Sequence, residues 1–292
     1  PVWEAGVKIA SYMVIIVMAL IGNLLVLVTV ARTRRLHTTT NFYIVNLAVS
    51  DLLVTLMCTW VHLVDDLTEG WVLGAFFCKF NTFAQVLALV SSILTLTLIA
   101  CDRFFGIMFA MRAHLTERRA RTFILLIWIC SVGASAPLLV YRRQEVRVWA
   151  NHTEIWCDDA WPRDTHSTAR QLYYTFISLV LYFVPIAVMS IAYSVIICKL
   201  WSRLPPGEQL SATAHSQVQL KRKVVKMLII LLSSFAFCWF PFQVNILYAE
   251  HRPNKQSQWY GQFQYASTLL AYANSAINPI IYTCFNDSFR KG

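Results

Sequence analysis

Seven stretches of predominantly apolar residues, at 6–31, 41–64, 75–108, 120–140, 172–200, 224–249 and 260–284, are each long enough to cross a bilayer's hydrocarbon core, which takes a helix of about 20 residues. This pattern confines the chain to a helical bundle, because in lipid each span must satisfy its own backbone hydrogen bonds. Barrel strands would be about half as long and would alternate strictly between apolar and polar residues, which these do not. Pro137, Pro185, Pro241 and Pro279 interrupt four of the spans. Such breaks are tolerated where neighbouring helices satisfy the freed backbone groups. Composition agrees: charged residues make up only 14 % of the 292 residues and hydrophobic ones 57 %, whereas a soluble domain carries about 25 % charge. A mean hydropathy of +0.53 points the same way. The expected fold is an all-α membrane protein, one seven-transmembrane helix bundle spanning residues 1–292.

Charge gives the orientation. If the first span starts outside, the inner ends of the spans and their connections hold 16 basic residues against four acids, and the rest of the chain holds 9 against 11. Most of the positive charge therefore gathers on one face, the one expected to be cytosolic, with an extracellular N-terminus. These basic residues sit in short loops beside apolar spans, so the basic balance points to the lipid bilayer and not to nucleic acid. No basic segment followed by a cleavable apolar core precedes the first span, and the abrupt start and the stop at Gly292 read as those of a trimmed chain.

Polar residues inside the spans carry the functional signal, because ionisable groups in a membrane are costly. Asn23 lies in the first span, Asp51 in the second, Asp102 and Arg103 at the end of the third, and Asn274, Ser275 and Asn278 along the seventh. Polar contacts between helices would explain any single one of them. No GxSxG, HExxH or P-loop motif occurs, so an enzyme is not expected. Buried carboxylates and broken helices also serve ion translocation, which makes a membrane transporter the competing class. The absence of an evident internal repeat counts against it.

The short motifs, in order, are Gly22-Asn23; Leu47-Ala48-Val49-Ser50-Asp51; Trp71 with Cys78; Asp102-Arg103-Phe104; Trp128; Pro185 with Tyr193; Cys238-Trp239-Phe240-Pro241; and Asn278-Pro279-Ile280-Ile281-Tyr282. With these motifs the chain resembles a rhodopsin-like, class A G-protein-coupled receptor over essentially its whole length. Phe104 stands where the commonest form of the motif has Tyr, and aromatic character is kept. The resemblance implies a sodium pocket at Asp51, Ser92, Asn274 and Ser275, where a carboxylate and neutral oxygens suit a hard cation. It implies an activation switch in which Arg103 leaves Asp102, Tyr193 and Tyr282 reposition, and helices move about Pro241 and the Asn278-Pro279 pair. Trp239 resembles the base of the ligand pocket. No other cofactor is expected.

Of the eight cysteines, Cys78 and Cys157 fall on the outer side, where a disulfide suits an oxidising compartment. The other six fall in or near spans as apolar fillers. Asn151-His152-Thr153 is an N-glycosylation acceptor in the same outer loop.

Ligand class narrows by exclusion within the resemblance. Gln85 replaces the aspartate that amine receptors carry, and Tyr272 replaces the lysine of opsins. A glutamine there is common among receptors of the RFamide and neuropeptide FF, orexin and neuropeptide Y groups, so the expected ligand is an extracellular neuropeptide held near Gln85, Trp239, Phe242, Gln243 and Tyr272, with Glu250 as a rim anion. The long outer loop suits a strand pair around Cys157. Acids on the outer face, among them Asp65, Asp66 and Glu69, could steer a basic peptide, and Arg142, Arg143, Arg147, Arg163 and Arg170 oppose that inference. A non-peptide small molecule or lipid is the alternative ligand. On the inner side, Phe285, Phe289, Arg290 and Lys291 read as the start of a short amphipathic eighth helix along the membrane. The implied partners there are a heterotrimeric G protein, arrestin and receptor kinases, and the implied location is the plasma membrane.

Overall fold

The computed structural model describes residues 2–109, 117–149, 152–161, 166–202, 212–251 and 258–285. Seven long helices account for most of them. They are α1 (Val2–Arg32), α2 (Thr39–Val54, Thr55–Thr59 and Trp60–Leu67 in unbroken succession), α3 (Gly74–Met108), α4 (Glu117–Tyr141), α5 (His166–Thr175, Phe176–Phe183 and Val184–Ser202 in succession), α6 (Ala212–His251) and α7 (Gln258–Phe285). A two-stranded hairpin, β1 (Arg142–Trp149) with β2 (His152–Asp159), joins α4 towards α5 and pairs antiparallel from Arg142 opposite Asp159 to Trp149 opposite His152. The glycosylation acceptor Asn151, the expected eighth helix beyond residue 285 and most of the loop between α5 and α6 lie outside the described residues.

Six of the helices are long and apolar enough to cross a membrane. The seventh, α7, has 28 residues but lacks a comparably apolar membrane-length stretch, because its inward face carries Ser267, Thr268, Asn274, Ser275 and Asn278, all buried. A helix whose polar residues face its neighbours can sit in a bundle without exposing them to lipid. Leu24, Leu25, Ile129, Val188 and Ile191 project outward instead, as a lipid-facing surface requires.

The bundle is organised around α3, the most buried helix. Asn46 on α2 donates to Thr95 Oγ1 on α3 at 2.8 Å and accepts from Trp128 Nε1 on α4 at 2.8 Å, so one amide fastens three helices. Ser50 Oγ donates to Ser91 Oγ at 3.0 Å one turn further along. Such contacts replace the hydrophobic drive that is missing between helices in lipid.

The α1–α7 contact shows how a broken helix is repaired. Pro279 lacks an N–H, so the carbonyl of Ser275, four residues earlier, loses its helical donor. Asn23 on α1 supplies one: its Nδ2 donates to Ser275 O at 2.9 Å and to Ala19 O at 2.9 Å. The preceding Gly22 permits this approach, since a Cβ there would stand 2.8 Å from Pro279 Cβ and Cγ. The Gly22-Asn23 pair on α1 and Pro279 on α7 thus form one packing unit.

At the other wall, π-type stretches interrupt α2 at Thr55–Thr59 and α5 at Phe176–Phe183. Each wide turn shifts the phase of the residues that follow it. In α2 this sets which side chains of the last turns face the bundle.

Candidate binding chamber and ion-pair switch

A cavity of about 610 Å³ opens at the hairpin end, between the ends of α2, α3 and α7 and the strand β2. After the π stretch, His62, Asp65 and Asp66 follow at helical spacing on one wall, and Glu69 adds to it from the bend just beyond the helix end. The floor and far walls come from Asn81 and Thr82 on α3 and from Gln264, Tyr265 and Thr268 on α7. Glu154, Trp156 and Cys157 of β2 form the roof with Arg142.

The roof is fixed at several points. Cys157 is disulfide-bonded to Cys78 at the start of α3. Trp71 N donates to Ile155 O at 2.6 Å. Gly70 has φ +79, a backbone conformation that favours glycine, and a Cβ on it would come within 3.0 Å of Ile155 O. Tyr174 on α5 donates to Asp159 Oδ2 at 2.8 Å, and Arg142 pairs with Asp159 at 3.4 Å. The hairpin is therefore held from the α2–α3 connection, α3 and α5 together.

Around the chamber, Tyr12 OH donates to Asp66 Oδ2 at 2.9 Å, and Lys8 Nζ donates to the backbone oxygen of Asp66 at 3.2 Å. Asn81 Nδ2 donates to His62 Nε2 at 3.3 Å. The His62 ring lies 5.5 Å from that of Tyr272, which is fully buried beneath it.

The residues that the sequence placed in a ligand pocket spread over a larger region. Gln85 lies buried on α3, one turn below Asn81, and its Nε2 has no hydrogen-bond partner. Trp239 is buried in the main apolar cluster, with its ring 5.7 Å from Phe242 in an edge-to-face contact. Gln243 is fully buried and accepts from Ser178 Oγ at 2.8 Å. Glu250 is engaged: Arg170 grips both of its carboxylate oxygens at 2.8 and 2.9 Å, and Gln171 donates to its backbone oxygen at 2.9 Å. A carboxylate held in this two-pronged way ties α5 to α6 and is not a free rim anion. His62 and Asn81 escaped the sequence reading altogether. Their signal was the spacing of His62 with Asp65 and Asp66, legible only once the π stretch sets which face of α2 turns inward.

Midway along the bundle, Asp51 is 3 % exposed and accepts from Asn278 Nδ2 at 2.9 Å. Ser92, Asn274 and Ser275 are buried as well, and Asn274 Oδ1 has no hydrogen-bond partner. Among the described residues Asp51 has no ion-pair partner, and no three His, Cys, Asp or Glu side chains cluster as metal ligands.

At the end of α3 away from the hairpin, Arg103 folds back on its neighbour. Its Nη2 and Nε donate to Asp102 Oδ2 at 2.5 and 3.1 Å, and Nη2 also reaches Thr40 Oγ1 at 3.0 Å. Nearby, Lys199 Nζ of α5 donates to the backbone oxygen of Met108 on α3, and Arg222 of α6 donates to Leu200 O at 2.6 Å with its guanidinium 4.8 Å from the Trp201 ring. The ends of α3, α5 and α6 are thereby tied together. A small cavity of about 190 Å³, bordered by Arg103, Ile107, Leu220 and Val224, opens between α3 and α6 there. Tyr193 and Tyr282 are buried in the same apolar cluster as Trp239, and Pro241 lies within α6, two residues beyond Trp239.

Residues 22–282 match the family described as 7 transmembrane receptor (rhodopsin family). Over its full length the chain is 33 % identical to the substance-P receptor of Rattus norvegicus, and it spans 71 % of that protein. It is 31 % identical to the substance-P receptor of Homo sapiens over the same share. Over 98 % of its length it is 33 % identical to the QRFP-like peptide receptor of Branchiostoma floridae, of which it spans 76 %.

Proposed function

The chain belongs to the rhodopsin family of seven-transmembrane receptors, and from that premise we propose that it is a receptor for an extracellular neuropeptide, which binds at the hairpin end and activates a heterotrimeric G protein at the opposite end. Membership makes it a non-enzymatic, multi-pass protein of the plasma membrane. Similarity at 33 % to receptors named for two different peptides supports the peptide class rather than one peptide. The excess of basic residues near Arg103 supports a cytosolic position for that end.

One observation carries the reading. A single helix, α3, borders an open chamber through Asn81 and Thr82 at one end and carries the closed Asp102–Arg103 pair at the other. Agonist binding favours a state in which α6 swings about Pro241 and Arg103 leaves Asp102 for the G protein, a shift between two arrangements of one bundle. Arrestin and receptor kinases would act on the same face. A sodium ion held by Asp51, Ser92, Asn274 and Ser275 would supply the positive charge that the buried carboxylate lacks and so favour the resting arrangement, a role supported by the orphaned Asn274 oxygen.

Full-length protein expressed in cells, screened for activation of every Gα class against a library of amidated neuropeptides, tests this. A saturable response that disappears in Arg103→Ala is expected. Silence across the library despite surface expression, or a response unchanged in Arg103→Ala, would overturn it.

A further inference from the structure

We infer that the chamber at the hairpin end is a subsite for a guanidinium group, the side chain of an arginine in the activating peptide. This rests on the receptor reading above and specifies what its ligand must carry. The lining holds four carboxylates, Asp65, Asp66, Glu69 and Glu154, against one guanidinium, Arg142, and that one is paired with Asp159. Lys8 approaches from α1, but it is bound to the backbone of Asp66 and lies 3.9 Å from Glu4. Arg147 stands opposite Glu154 on the hairpin and over the Trp156 ring, 3.3 Å from Asp158. Four lining carboxylates still outnumber these three bases, two of which have acids outside the lining, and a cleft with low-dielectric walls concentrates that field.

Charge alone would suit any cation. A second feature selects the donor. Asn81, at 4 % exposure, borders the chamber, and its buried amide oxygen has no hydrogen-bond partner. Its nitrogen is already committed to His62, so what the site lacks is a donor aimed at α3. On the facing wall the carboxylate of Asp65 makes no hydrogen bond or ion pair among the described residues, and Asp66 is met on one oxygen only, by Tyr12. Vacant acceptors on two different helices call for a group with several N–H bonds in one plane, which guanidinium supplies with five and ammonium does not.

Purified full-length receptor with its disulfide intact is titrated with N-acetyl-arginine amide, its neutral isostere N-acetyl-citrulline amide, and N-acetyl-lysine amide, with binding followed by saturation-transfer NMR. Saturable binding of the arginine amide is expected, at least tenfold tighter than either of the others and at least tenfold weaker in Asp65→Asn/Asp66→Asn. Equal binding of arginine and citrulline amides by the unaltered receptor would overturn the subsite, and this comparison does not depend on a variant folding. Equal binding of the lysine amide would overturn the choice of guanidinium. The titration needs no G protein, which separates the two readings. An arginine amide that binds as expected while no peptide signals would sink the receptor reading and leave the subsite standing. A peptide equally potent on the unaltered receptor and on the double variant would sink the subsite alone.

Discussion

Cys157→Ser is expected to lower agonist potency about a hundredfold, while Cys284→Ser, a change at an exposed free cysteine, leaves it unaltered. The bridge joins residues 79 apart in sequence. Cross-linking a loop of that size removes about 4.5 kcal/mol of chain entropy from the open chain on the chain-entropy account. Part of that loss is offset, because Trp71 still holds Ile155 and Tyr174 still holds Asp159. Where the hairpin without its bridge lies about 2.7 kcal/mol on the undocked side, it is docked in about one molecule in a hundred, and apparent affinity falls by the same fraction. Peptide dose–response curves on cells matched for surface expression read this directly. Unchanged potency would mean that the hairpin does not shape the chamber from which the ligand is bound.

The second large effect has the opposite sign. Asp102→Asn is expected to raise agonist-free G-protein activation about tenfold. The variant keeps the size of the side chain and removes the charge that holds Arg103 through contacts of 2.5 and 3.1 Å. Asp102 is 5 % exposed and Arg103 22 %, so the pair is screened less than a surface one but is not fully desolvated. Losing a charge-assisted hydrogen bond in that setting costs the closed state about 1.5 kcal/mol. Thr40 remains as a partner for the guanidinium, and the ties of Lys199 and Arg222 are untouched, which keeps the shift from being larger. Basal second-messenger output normalised to surface receptor measures it. Basal activity equal to or below that of the unaltered receptor would mean that the pair does not hold the resting state.

These two sites were readable in the sequence to different depths. Membrane spans announce themselves because lipid imposes a length and an apolarity that nothing else in a chain imitates. The polar residues inside them stand out for the same reason, and the family resemblance attached roles to Asp51, Asp102 and Arg103. The outer cysteines could be singled out because topology left just two on that side. What stayed hidden depends on phase and on distant partners. The π stretch at Thr55–Thr59 turns the last part of α2, and without it the line of His62, Asp65 and Asp66 has no assigned face. That Glu250 pairs with Arg170 stayed hidden because the two lie 80 residues apart on different helices. The supply of a donor to the Ser275 carbonyl by Asn23 likewise joins two ends of the chain that no local pattern connects.

Coupling between the two ends of α3 is the central claim, and by linkage it must be reciprocal. The most direct measurement is the affinity of a labelled agonist peptide for the receptor in membranes, with and without saturating heterotrimeric G protein. The account predicts tighter binding with G protein, by a factor of about 5 to 150, as befits a coupling of 1–3 kcal/mol, and no such gain in Arg103→Ala. Identical affinities in the two conditions would contradict it.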